Sequence, residues 1–140
     1  MLVCHGDFGP WNVVWDDDRP VGLLDWEYAV VAPRSHDLGY ALNYAVPFRD
    51  DDNTLRWHHF SGVPDRRARV TSFTSAYGLD HTDGVVEAML AAQRFTLGRV
   101  RALAAAGQPR QVEWLAKRWD EIDERQLAWC EQNRGLVTPR

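Results

Sequence analysis

Short apolar runs broken by polar turns fill the first third of the chain, and longer stretches with helical spacing fill the rest. Leu2-Val3-Cys4 stops at His5-Gly6-Asp7, Val13-Val14-Trp15 follows, and Val21-Gly22-Leu23-Leu24 ends at Asp25. Asp16-Asp17-Asp18-Arg19-Pro20 separates the second and third runs as a turn, so these runs predict a small β-hairpin. Pairing of the three runs in one small sheet would let both polar loops leave the same edge. That placement gathers Asp7, Asn12 and Asp25. Ser35 to Val46 predicts a helix, with Leu38, Ala41, Leu42 and Ala45 at helical spacing, Ser35 as N-cap and Pro47 as the stop.

Phe48 to Pro64 shows no clear period and reads as a connecting loop holding at most a helical turn. Three helices are predicted beyond it. Asp65 to Tyr77 is closed by Gly78. The next opens at Thr82 or Asp83, carries Val86, Leu90, Leu97, Val100 and Leu103 on one face, and ends at Gly107 and Pro109. The last runs from about Gln111 to Asn133, before Gly135 and a fraying Thr138-Pro139-Arg140. The reading is one structural domain in three parts: 1–47, an irregular connection 48–64, and a helical subdomain 65–140. Its class is α+β, mainly α.

Composition adds mostly exclusions. The 140 residues carry 16 basic and 20 acidic side chains, a net charge of −4, which leaves no electrostatic footprint for nucleic acid. No apolar run approaches the ~20 residues of a membrane helix, and the N-terminal residues do not form a signal peptide. Cys4 and Cys130 read as free thiols of a reducing, cytoplasmic compartment. Seven Trp signal either a heavy core or an aromatic pocket.

The chemistry lies in the first forty residues. A carboxylate and a carboxamide are hard oxygen ligands suited to magnesium, and a second carboxylate can orient a hydroxyl and accept its proton. Phosphoryl transfer uses such parts. His5-Gly6-Asp7-x-x-x-x-Asn12 resembles the catalytic loop of the aminoglycoside phosphotransferase and choline kinase families, the small-molecule kinases with a protein-kinase-like fold. Leu24-Asp25-Trp26-Glu27 looks like their metal-binding segment, and Pro33-Arg34-Ser35-His36-Asp37-Leu38 is similar to a third family element. The three fall in order at fitting spacing across residues 1–47.

The resemblance implies the C-terminal lobe of a protein-kinase-like fold. Asp7 would face the acceptor hydroxyl. Asn12 and Asp25 would hold Mg²⁺ on the phosphates of ATP (or GTP). His5 would support the site through backbone bonds, and Asp37 would pin the catalytic loop from the helix start. The acceptor would be a small hydroxylated molecule, aminoglycoside-like or choline-like. The family's N-terminal lobe brings a nucleotide-covering loop and a strand lysine, yet no Lys precedes Lys117. The chain therefore reads as a C-terminal lobe fragment, with the N-terminal lobe absent. Uncovered apolar residues around Leu2 and Val3 would then favour a homo-oligomer, a partner chain or marginal stability.

Plainer readings stand beside these. Asp7 and Asn12 are also common turn residues, and Asp37 also suits a helix start. Glu27 reads equally as a support of the site or as solvent-facing. His58-His59 and Asp16–Asp18 read as surface rather than metal sites. Trp114, Trp119 and Trp129 read as helix packing; the alternative is an acceptor pocket whose aromatic faces hold a cation. Glu113, Asp120, Glu121, Asp123 and Glu124 read as helix surface, or as negative potential at that pocket. Two other function classes remain: a non-catalytic, pseudokinase-like binding module, and a metal-dependent hydrolase using His5, Asp7, Asp25, His36 and Asp37.

Overall fold

A computed structural model describes residues 1–58 and 60–138. Two small antiparallel sheets precede a mainly helical body, an α+β arrangement. The strands are β1 (Leu2–Cys4), β2 (Val13–Asp16), β3 (Arg19–Leu23) and β4 (Val30–Ala32). The predicted hairpin is present: β2 pairs β3 with Val13 opposite Leu23 and Asp16 opposite Arg19. Asp17, at φ +50°, turns the chain in the tight connection between them.

The single sheet expected from sequence is not formed. β1 pairs instead with β4, Cys4 opposite Val30, and the hairpin stands as a separate sheet. β4 escaped the sequence reading because Val30-Val31-Ala32 is only three residues long. Many apolar residues of these strands face outward: Val3 is 71% exposed, Val31 62% and Val21 55%.

The helices are α1 (Ser35–Ala45), α2 (Asp51–His58), α3 (Arg66–Tyr77), α4 (Val85–Ala105), α5 (Pro109–Ala116) and α6 (Trp119–Gln132). Ser35 is the first helical residue of α1, not its cap; Arg34 precedes it and makes no side-chain capping bond. α3 begins and ends as predicted. Asp65 accepts from the Ala68 N–H, and Gly78 closes the helix at φ +82°. A Cβ on Gly78 meets open space, so Gly78→Ala adds backbone strain alone. It is expected to cost about 1 kcal/mol in denaturant melts, and an unchanged midpoint would contradict the left-handed cap.

Two departures concern the helical part. The connection 48–64 contains the eight-residue α2 rather than one turn. Asp50 accepts from Asn53 at its start, acidic residues fill its first turn, and Arg56 and His58 lie in its last, a charge order that suits the helix dipole. Buried Arg66 fixes this connection, donating to the carbonyls of Pro47 and Arg49 and to Asp51 at 2.8 Å. His59, Pro139 and Arg140 lie outside the described residues.

The expected long last helix is broken into α5 and α6 at Arg118, which adopts φ +59°. The break lets both segments lie against α4. Arg101 of α4 holds α6 through Asp120 and Glu124 at 2.8 and 2.7 Å. Glu113 pairs with Lys117 and Glu121 with Arg118, which favours the helix-surface reading of these acids.

The core joins α1, α3, α4 and α6 through Leu42, Val46, Phe48, Val70, Met89, Leu90 and Cys130. Each large apolar side chain removed from water there contributes about 1.5–3 kcal/mol. Gly39 lets α1 approach α4 closely, because a Cβ at this position would lie 2.2 Å from the Ala88 carbonyl oxygen. Asn43 bridges the same pair, donating to the Met89 carbonyl at 2.8 Å. Cys4 and Cys130 are both free and buried. None of the seven Trp is fully buried, and five are exposed, so the tryptophans do not form a heavy core.

Candidate active site

The segment after β1 is tied at three points. Asp37, in the first turn of α1, accepts from the backbone N–H of His5 at 2.6 Å and of Gly6 at 3.0 Å. One carboxylate thereby satisfies two amides, and it sits where the helix N-terminus favours negative charge. Gly6 adopts φ +79°, and a Cβ there would fall 2.1 Å from the Tyr28 carbonyl oxygen. The third tie is the His5 ring, which is buried. Its Nδ1 accepts from the Asp7 N–H at 3.3 Å, leaving Nε2–H to donate to the Leu24 carbonyl at 2.7 Å. The imidazole thus joins the segment after β1 to the segment after β3.

The hairpin places the remaining acids. Val13 faces Leu23 across the ladder, so Asn12 and Leu24 meet at its open end, where the Leu24 N–H donates to the Asn12 carbonyl at 2.9 Å. Asp25 follows directly. The 13-residue separation of Asn12 and Asp25 is thus two strands and a turn.

Asp7 is held by its neighbours. The Asn12 carboxamide donates to its Oδ2 at 2.9 Å, Trp11 Nε1 approaches the same oxygen at 3.4 Å, and the Tyr40 hydroxyl donates to Oδ1. Burial, with Tyr44 and Asp7 nearby, pushes the Tyr40 phenol far above its ordinary range, so it remains a donor. Asp25 is exposed and adopts φ +59°, ψ +66°, a left-handed conformation that costs a non-glycine residue roughly 1 kcal/mol. Its carboxylate makes no hydrogen bond among the described residues, and neither does the Asn12 Oδ1.

Asp7 and Asp25 line one cleft of about 300 Å³. Tyr40, Thr96 and Arg99 border it from α1 and α4, and Arg110 and Trp114 from α5. Glu27 also lines it and approaches Arg110 at 3.3 Å. Of the three tryptophans weighed for a pocket, only Trp114 lines the cleft; Trp119 rests on Trp114, and Trp129 packs against the core. Sequence reasoning missed Tyr40, Arg99 and Arg110. Only Tyr40 left a trace, one helical turn after Asp37 on the same face.

The five residues of the hydrolase alternative do not gather into one ligand set among the described residues. Both His5 nitrogens and both Asp37 oxygens bond to backbone. His36 packs edge-on against Phe95 at 4.6 Å, its Nε2 buried without a partner. Among the described residues, no three His, Cys, Asp or Glu side chains are grouped to hold a metal.

Burial lowers the pKa of His36 below the ordinary 6.5; Arg99 adds to the shift and Asp37 opposes it. The unfolded chain therefore takes up a proton that the folded imidazole resists. Stability is expected to fall as pH drops below 6.5. In melts between about pH 7.5 and 5.5, His36→Phe should flatten this dependence, and an equal slope in both proteins would refute it.

Two carboxylates on adjacent loops, one of them beside a carboxamide, therefore face one cleft. The profile of the phosphotransferase enzyme family (APH) matches residues 1–103, and the chain belongs to that family. The chain is also similar to the trifolitoxin immunity protein of Rhizobium leguminosarum bv. trifolii, at 35% identity over 78 residues. That match covers 56% of this chain and 30% of the relative, so it spans less than a third of the relative's length. No solved structure matches at a significant level. No helix among the described residues is long and apolar enough to cross a membrane.

Proposed function

We propose that the chain forms the catalytic half of a small-molecule kinase, the C-terminal lobe of a protein-kinase-like fold, which moves the ATP γ-phosphoryl group to an acceptor hydroxyl. The observation that carries this reading is the convergence of Asp7 and Asp25 on one cleft, with Asn12 bonded to Asp7. Asp7 orients the acceptor hydroxyl and takes its proton. Tyr40 and Asn12 hold the carboxylate in place, so little reorganisation precedes the reaction.

Asn12 and Asp25 fit Mg²⁺. Each presents a hard oxygen without a hydrogen-bond partner among the described residues, and Mg²⁺ commonly takes only one or two protein ligands beside substrate phosphates. When bound, the ion supplies neutralisation of phosphate charge. His5 and Asp37 are positioning residues that fix the two loops. The exposed apolar residues of β1 and β4 support a covering lobe that holds the nucleotide, as the family resemblance implies.

The test is MgATP turnover against a panel of hydroxylated acceptors, with Asp7→Ala and Asp25→Ala beside wild type. Acceptor-dependent turnover lost in both variants supports the reading, and turnover surviving both overturns it. Calorimetry with MgATP separates it from a non-catalytic binding module, for which no nucleotide binding is expected.

A further inference from the structure

The charges lining the cleft are mostly committed. Asp7 is held by Asn12 and Tyr40, Glu27 faces Arg110, and Asp25 is assigned to the metal. Arg99 differs. It lines the same cleft from α4, pairs with no carboxylate among the described residues, and has a buried Nε without a hydrogen-bond partner.

Its position is built. The guanidinium lies over the Tyr28 ring, 5.5 Å from the centroid, and Gln111 donates to the Tyr28 hydroxyl at 2.6 Å. Gln111 is itself buried. Arg110 similarly covers Trp114 at 4.9 Å. Two aromatic faces that could receive a substrate cation are thus already covered by the protein's own cations. A free ammonium on the acceptor would meet like charge there, since Asp7 and Glu27 are already bonded and Asp25 is assigned to the metal.

We propose that Arg99, assisted by Arg110, binds an oxyanion of the acceptor, so that the substrate is a hydroxylated carboxylate rather than an amine. This rests on the phosphotransfer reading for its acceptor, but its binding chemistry is separate. A guanidinium fork matches a carboxylate with two parallel hydrogen bonds, and the stacked arrangement limits the rotamer freedom lost on binding. Arg110 contributes less, because it is largely exposed and shared with Glu27. Nucleotide phosphate is the other source of such an oxyanion.

The experiment compares three six-carbon polyols of matched length by calorimetric or NMR titration: gluconate, sorbitol and glucamine. Gluconate is expected to bind about tenfold more tightly than the other two. Arg99→Gln should abolish that preference, and Arg99→Lys, which keeps the charge and the stem, should retain part of it. Circular-dichroism melts confirm that both variants fold. Equal binding of the three polyols, no binding of any, or tighter binding of the amine overturns the proposal. So does a preference that persists in Arg99→Gln, or an Arg99→Gln effect on MgATP without one on gluconate. Acceptor-dependent turnover without a gluconate preference leaves phosphotransfer standing and removes this inference. A gluconate preference that depends on Arg99, without any turnover, does the reverse.

Discussion

Asp7→Asn is expected to lower acceptor-dependent turnover by about 10²–10⁴-fold, the range typical for loss of a positioned general base. The carboxylate accepts at both oxygens, from Tyr40 at Oδ1 and from Asn12 at Oδ2. An amide in its place offers one accepting oxygen, so one of these donors loses its partner. That loss costs stability about 1 kcal/mol. The activity change therefore greatly exceeds the stability change, which separates a chemical role from a structural one. Turnover within tenfold of wild type, measured on protein shown to be folded, would remove Asp7 from the reaction.

Asp37→Ala is expected to act in the opposite manner, through stability. It strands the backbone N–H groups of His5 and Gly6, bonded at 2.6 and 3.0 Å to the two carboxylate oxygens. Two charge-assisted bonds of this kind are together worth about 3 kcal/mol, partly recovered by water because Asp37 is only half-buried. The melting temperature should fall by roughly 10 °C. Asp37→Asn keeps one acceptor and should recover about half of the loss. A melt of Asp37→Ala within about 2 °C of wild type would show that the segment holds itself without α1.

These two variants mark what was legible beforehand. Asn12 bonds Asp7, Asp7 and Asp25 line one cleft, and His5 and Asp37 tie its loops; the hairpin part of this was legible because register and loop length are local properties. Asn12 meets Leu24 through a two-stranded ladder spanning eleven residues. Gly78 ended α3 where a left-handed residue was expected. The single sheet failed for a different reason. β1 had two possible partners, and three residues of apolar sequence carry no record of the choice. The break at Arg118 was equally hidden, since an arginine in a left-handed conformation leaves no glycine or proline to read. α2 was the opposite case, its capping and charge order present in the sequence but obscured by a weak apolar period.

The sequence alone determined the family, the order of the carboxylates and the loops that carry them, all within a span of about forty residues. Only the tertiary structure decided what surrounds Asp7. Tyr40 reaches it across 33 positions, and Arg110 meets Glu27 across 83. These approaches are set by α1 seated on α4 at Gly39 and Leu42, with α5 turned back against α4. Local periodicity shows that a helix has an apolar face, but not which loop its polar edge will meet. The charge that lines the cleft is therefore a property of packing.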